Sequence, residues 1–118
     1  MAQIERVVCA SAALEEGGPG VRFEVIRGGR ATPAFVVRYG GLPRAFINRC
    51  AHLPNELDWT PGHFFDESKT LLVCSLHGAL YYPDSGKCYL GPCQRGGLLS
   101  LACRDSGNHV VVIEPPNS

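Results

Sequence analysis

Cys50-Ala51-His52 and Cys74-Ser75-Leu76-His77 each put one thiolate and one imidazole within a single short turn of chain, with residues 53–73 between the two pairs. Together they offer two soft sulfurs and two borderline nitrogens. Such a set can close a tetrahedral site around one zinc ion, or it can hold the two ends of a two-iron, two-sulfur cluster. Zinc there would brace a fold, whereas the cluster would move one electron at a time. The other two histidines have no such neighbour. His63, beside Phe64-Phe65, reads as a surface residue, and His109, just ahead of the last strand, is given no role.

Ligand pairs work only if something rigid holds them. Val21-Arg22-Phe23-Glu24-Val25 alternates apolar and polar side chains as a half-buried strand does. Further strands are expected at 34–38, 44–48, 71–73, 80–82, 98–102 and 110–113, with turns at Arg27-Gly28-Gly29-Arg30, Gly40-Gly41 and Pro83-Asp84-Ser85-Gly86. Only Ser11 to Glu16 could be helical, over about one turn. Many short strands at regular spacing predict an all-β chain of small antiparallel sheets, packed as a sandwich or barrel. Phe46-Ile47-Asn48 leads into Cys50, and Leu71-Leu72-Val73 leads into Cys74, so each pair is expected on a loop leaving a strand end. Trp59, Phe64 and Phe65 are expected to pack the loop between the pairs onto the body of the protein.

Composition narrows the function. The 118 residues suit one domain, and eleven basic against eleven acidic residues leave no net charge to attract nucleic acid or an anionic membrane. The early charges at Glu5 and Arg6, without a following apolar run, predict a soluble, cytoplasmic protein. In a reducing compartment six cysteines argue for metal rather than for a disulfide scaffold. Cys9, Cys88, Cys93 and Cys103 then read as small buried hydrophobes, although Cys88 and Cys93 bracket Gly91-Pro92 and could pair as a disulfide.

Cys50-Ala51-His52-Leu53 and Cys74-Ser75-Leu76-His77-Gly78, followed by Tyr81, Pro83, Ser85-Gly86-Lys87 and Gly91-Pro92, resemble the two cluster loops, hairpin and proline loop of the Rieske iron–sulfur family. The likeness is strong over residues 44 to 101. It implies a Rieske-like fold over 1–118 with a cluster-binding subdomain at about 44–97, and one [2Fe-2S] cluster. By resemblance Cys50 and Cys74 bind the inner iron, and His52 and His77 bind the outer one. Residues 55–69 lengthen the loop between the pairs beyond the commonest spacing. The extra cysteines that respiratory members join as a disulfide are absent, and Ala79 stands where those members carry a serine that donates to a cluster sulfide. Tyr81 falls where the family's cysteine-bonding tyrosine sits. Fewer donors to sulfur place the expected potential near the low end of the Rieske range, about −150 mV.

The chain thus resembles soluble Rieske-type ferredoxins of oxygenase systems. This implies a monomeric electron carrier, not itself an enzyme, that docks transiently with a reductase donor and an oxygenase or other acceptor. Leu53, Pro54, Leu76 and Pro92 would form the apolar rim of that contact. A small Rieske-like subunit of a larger oxidoreductase, such as a nitrite reductase, is the alternative, and a zinc-stabilised binding module is the third reading.

Overall fold

Glycine turns and alternating side chains give this chain its frame in the computed structural model, which describes residues 4–50, 56–58, 60–74, 78–91 and 96–114. The strands are β1 (Ile4–Ala10), β2 (Val21–Arg27), β3 (Arg30–Tyr39), β4 (Leu42–Ile47), β5 (Leu72–Val73), β6 (Leu80–Tyr81), β7 (Cys88–Leu90), β8 (Ser100–Asp105) and β9 (His109–Glu114). Arg27 faces Arg30 across Gly28-Gly29, and Tyr39 faces Leu42 across Gly40-Gly41. All four glycines have φ between 57° and 78°, the conformation that two-residue hairpins need and that a side chain disfavours.

Six strands form one antiparallel sheet in the order β1-β9-β8-β4-β3-β2. It curls until its edges meet: the Ile26 amide of β2 donates to the Glu114 carboxylate at the end of β9, which also takes Arg6 Nη2 of β1. A second sheet, β5-β6-β7, leads from β5 into Cys74. The expected all-β architecture is what forms.

β3 explains how the two sheets are joined. Ala34, Phe35, Val36 and Val37 are all fully buried, which a strand with one wet face would not allow. Ala34 and Val36 point into the barrel with Val25, Ala45, Ile47, Val110 and Val112. Phe35 and Val37 point the other way, with Phe46 of β4, into a second core beneath the small sheet. The central hairpin is therefore a wall shared by both cores.

Three expectations are corrected. β1 was not expected: it is an edge strand, largely exposed, so its side chains lack the alternation that marks a half-buried strand. β7 has three residues, two of them exposed, too few to show a period. The first turn after β1 is a 3₁₀ turn at Ser11–Ala13 and does not extend to Glu16.

Candidate metal centre

The first Cys–His pair begins just after β4 ends. Cys50 is 2% exposed, and its Sγ lies 3.3 Å from the Tyr81 hydroxyl. Asn48, two residues earlier, is also buried. Its side-chain amide donates to Asp58 Oδ1 at 3.0 Å, and its carbonyl oxygen accepts the Leu57 amide at 2.8 Å. Ala51, His52, Leu53, Pro54 and Asn55 lie outside the described residues, as does Trp59.

The second pair follows β5. Cys74 is fully buried, its amide donates to the Ala79 carbonyl at 2.9 Å, and its carbonyl accepts the Gly78 amide at 2.8 Å. Two backbone bonds thus tie the two sides of this turn, while Ser75, Leu76 and His77 lie outside the described residues. Gly91, at the end of β7, sits so close behind the turn that a Cβ on it would lie 3.1 Å from Ala79 Cα. Pro92 to Arg95 are again outside the described residues.

Cys50 and Cys74, 24 positions apart in sequence, belong to one buried cluster with Phe46, Leu57, Leu72 and Tyr81. Two thiolates in such surroundings would be costly by themselves. They become favourable on a metal, whose charge compensates theirs, and the Tyr81 hydroxyl supplies the outer hydrogen bond that tunes a ligated sulfur. The residues present therefore fit a thiolate-held iron centre.

The segment between the pairs packs as the aromatic residues suggest. Phe64 is fully buried and stacks on Phe35 with ring centres 3.9 Å apart, and Phe65 lies over Tyr39 at 6.4 Å. The Val73 amide donates to the Phe64 carbonyl, so this insertion extends the edge of the small sheet. His63 and His109 are exposed, in keeping with the surface role expected of the first. A cleft of about 300 Å³ beside Cys50 is lined by Ile47, Arg49, Gly96, Gly97 and Leu99.

Cys88 is half-buried and disulfide-bonded, not the small buried hydrophobe expected; Cys93, the partner weighed for it, lies outside the described residues. Cys9 and Cys103 are half-buried free thiols, and burial pushes both above the ordinary thiol range. The Asn48–Asp58 pair had no signal in the sequence beyond two ordinary polar residues either side of the first ligand pair. Among the described residues no helix is long and apolar enough to cross a membrane.

A family model, the Rieske [2Fe-2S] domain, matches residues 5–111. No curated protein matches the chain. Among solved structures it resembles the ferredoxin of carbazole 1,9a-dioxygenase from Nocardioides aromaticivorans IC177, at 22% identity over 94% of this chain and 97% of that one, with a TM-score of 0.70. It also resembles a chain in the complex of reduced oxygenase and oxidized ferredoxin in carbazole 1,9a-dioxygenase, at 23% identity over 99% and 100%, with a TM-score of 0.72. The plasma membrane Rieske protein PetC3 from Synechocystis PCC 6803 matches at 25% identity over 91% and 97%, with a TM-score of 0.64.

Proposed function

Because the chain belongs to the Rieske [2Fe-2S] domain family and binds a [2Fe-2S] cluster, we propose that it is a one-electron carrier, taking electrons from a reductase and passing them to an oxygenase or another redox enzyme. The burial of Cys50 and Cys74 in one apolar cluster carries this reading. Its likeness in fold and size to two chains from a dioxygenase system supports the choice of acceptor. In this reading the chain catalyses nothing itself and diffuses between partners in the cytoplasm.

In this reading Cys50 and Cys74 would hold one iron of the cluster, and His52 and His77 the other. When bound, the cluster supplies a couple that gains or loses one electron. Phe46, Leu57 and Leu72 keep water from the sulfurs, which strengthens every electrostatic interaction made there. The Tyr81 hydroxyl draws negative charge from the Cys50 sulfur and so favours the reduced form. Neutral imidazoles at His52 and His77 in place of thiolates would raise the potential further.

Visible absorption and EPR spectra of the purified protein before and after dithionite, with iron and sulfide counted, test this directly. The expected result is two irons, two sulfides and a rhombic signal in the reduced protein alone. His52→Cys and His77→Cys that retain a cluster should have lower potentials, because an anion replaces a neutral ligand. A colourless protein holding one zinc would overturn the carrier reading, and an unchanged potential in a variant would remove that histidine from the ligand set.

A further inference from the structure

Asn48 and Asp58 flank the segment that carries the first ligand pair, and both side chains are buried, with 3% and 6% of each residue exposed. A carboxylate and a carboxamide survive such burial only when their polar atoms are paired. Here the pairing is dense. The Asn48 side-chain amide donates to Asp58 Oδ1 at 3.0 Å, and the Leu57 amide donates to Asn48 Oδ1 at 2.8 Å. The Gly62 amide donates to Asp58 Oδ2 at 2.9 Å, and the Asn48 backbone amide donates to the Pro33 carbonyl at 2.9 Å. Arg22 of β2 lies against the pair from outside, Nε 3.4 Å from Asp58 Oδ2 and Nη2 2.7 Å from Glu56 Oε2.

This arrangement ties the start of the loop to its end, and both to the barrel. The two ends that flank the segment, Asn48 and Asp58, are therefore pinned to each other, to β3 through Pro33 and to β2 through Arg22. A loop whose ends are pinned loses less conformational freedom when its ligands engage a metal. We propose that Asn48 and Asp58 are positioning residues that hold the first ligand loop in its binding geometry before the cluster arrives, with Arg22 supplying the counter-charge that lets the carboxylate stay buried. The inference rests on the reading of Cys50 and His52 as cluster ligands. Because the two side chains act through the loop, their loss should show in the rate of cluster release and in the EPR g-values.

The chemistry of the pair offers a swap. Asn48→Asp sets two carboxylates together with no donor between them. Asp58→Asn turns one donor of the new amide against the Gly62 amide or Arg22. In the double variant Asn48→Asp/Asp58→Asn the amide at position 58 donates to the carboxylate at position 48. That carboxylate still accepts the Leu57 amide, and the carbonyl oxygen at 58 still accepts the Gly62 amide. Cluster release is followed by bleaching of the visible absorbance in the presence of an iron chelator. Each single variant should bleach about 10–100-fold faster than the wild type, with shifted g-values, and the double variant should recover both properties. Glu16→Gln, which removes hydrogen bonds at the Gly40-Gly41 turn, serves as a stability control and should leave bleaching unchanged at a comparable fall in unfolding midpoint. If a single variant does not fold, Arg22→Gln at the exposed end of the network takes its place and should also accelerate bleaching.

Unchanged bleaching, no recovery in the double variant, or acceleration that follows the unfolding midpoint equally in Glu16→Gln would overturn the inference. A wild-type protein that holds no two-iron cluster would instead overturn the function reading, and this inference with it.

Discussion

At the scale of single residues, the contact between the Cys50 sulfur and the Tyr81 hydroxyl bears directly on the proposed cluster. The sulfur lies among apolar side chains, and the Tyr81 hydroxyl lies 3.3 Å from it. A hydrogen bond to a charged acceptor contributes roughly 1.5–3 kcal/mol, and only the part that differs between oxidised and reduced forms moves the potential. Tyr81→Phe keeps the ring packed and removes the hydroxyl, so the reduction potential should fall, by on the order of 50 mV for about 1 kcal/mol of differential bonding. Redox titration followed by EPR measures this, and an unchanged or raised potential would mean that the hydroxyl does not serve the cluster. The role of Tyr81 was legible only through the resemblance, which places it where the Rieske family's cysteine-bonding tyrosine sits. Asn48 and Asp58 were not legible. Their roles arise from a contact across a ten-residue loop, and nothing local distinguishes an asparagine paired in this way from one facing water.

At the scale of elements, the same contrast explains which strands the sequence revealed. β2, β3 and β4 alternate cleanly or run apolar between glycine pairs, and they appear where expected. β1 lies at the sheet edge with most of its side chains in water, so no burial pattern was written into it. The segment between the two Cys–His pairs is anchored by an aromatic side chain. Phe64 stacks on Phe35, which also packs against Phe46, the β4 residue facing the core that holds both cysteines. Phe64→Ala would open a cavity at the centre of this core and should destabilise the fold by about 3–5 kcal/mol. That is a large share of the roughly 5–15 kcal/mol typical of a folded protein. Urea unfolding of the variant measures the loss. A loss under about 1 kcal/mol would place it with surface substitutions and show that the insertion is a loose appendage.

Across the whole molecule, the curled sheet depends on groups far along the chain from the ligand pairs, and two of them are carboxylates. Asp105, at the end of β8, accepts the Ser11 hydroxyl at 2.6 Å and the Gly107 amide at 2.8 Å, and lies 3.1 Å from Arg38 Nη2. The Ser11 hydrogen bond, followed by the Gly107 amide, holds its carboxyl below the usual aspartate range. Glu16 takes the amides of Gly41 and Gly40, and these two bonds hold its carboxyl below the usual glutamate range. Arg38 joins the two regions, since its guanidinium also donates to the Leu14 and Ser11 carbonyls. In both cases the folded protein takes up a proton less readily than the unfolded chain. The stability these groups contribute is therefore complete above the ordinary carboxylate pKa of about 4, and it is lost as pH falls through the lower folded values. Unfolding midpoints in urea should accordingly drop as the pH is lowered below about 4. Asp105→Asn and Glu16→Gln should each be less stable than wild type at neutral pH and should flatten that acid limb, most strongly together. Neither carboxylate hydrogen-bonds Cys50, Cys74 or Tyr81 among the described residues, so the visible spectrum of the folded variants should match the wild type. An acid limb equally steep in the double variant would assign the pH dependence to other groups and leave these two as surface decoration on the barrel.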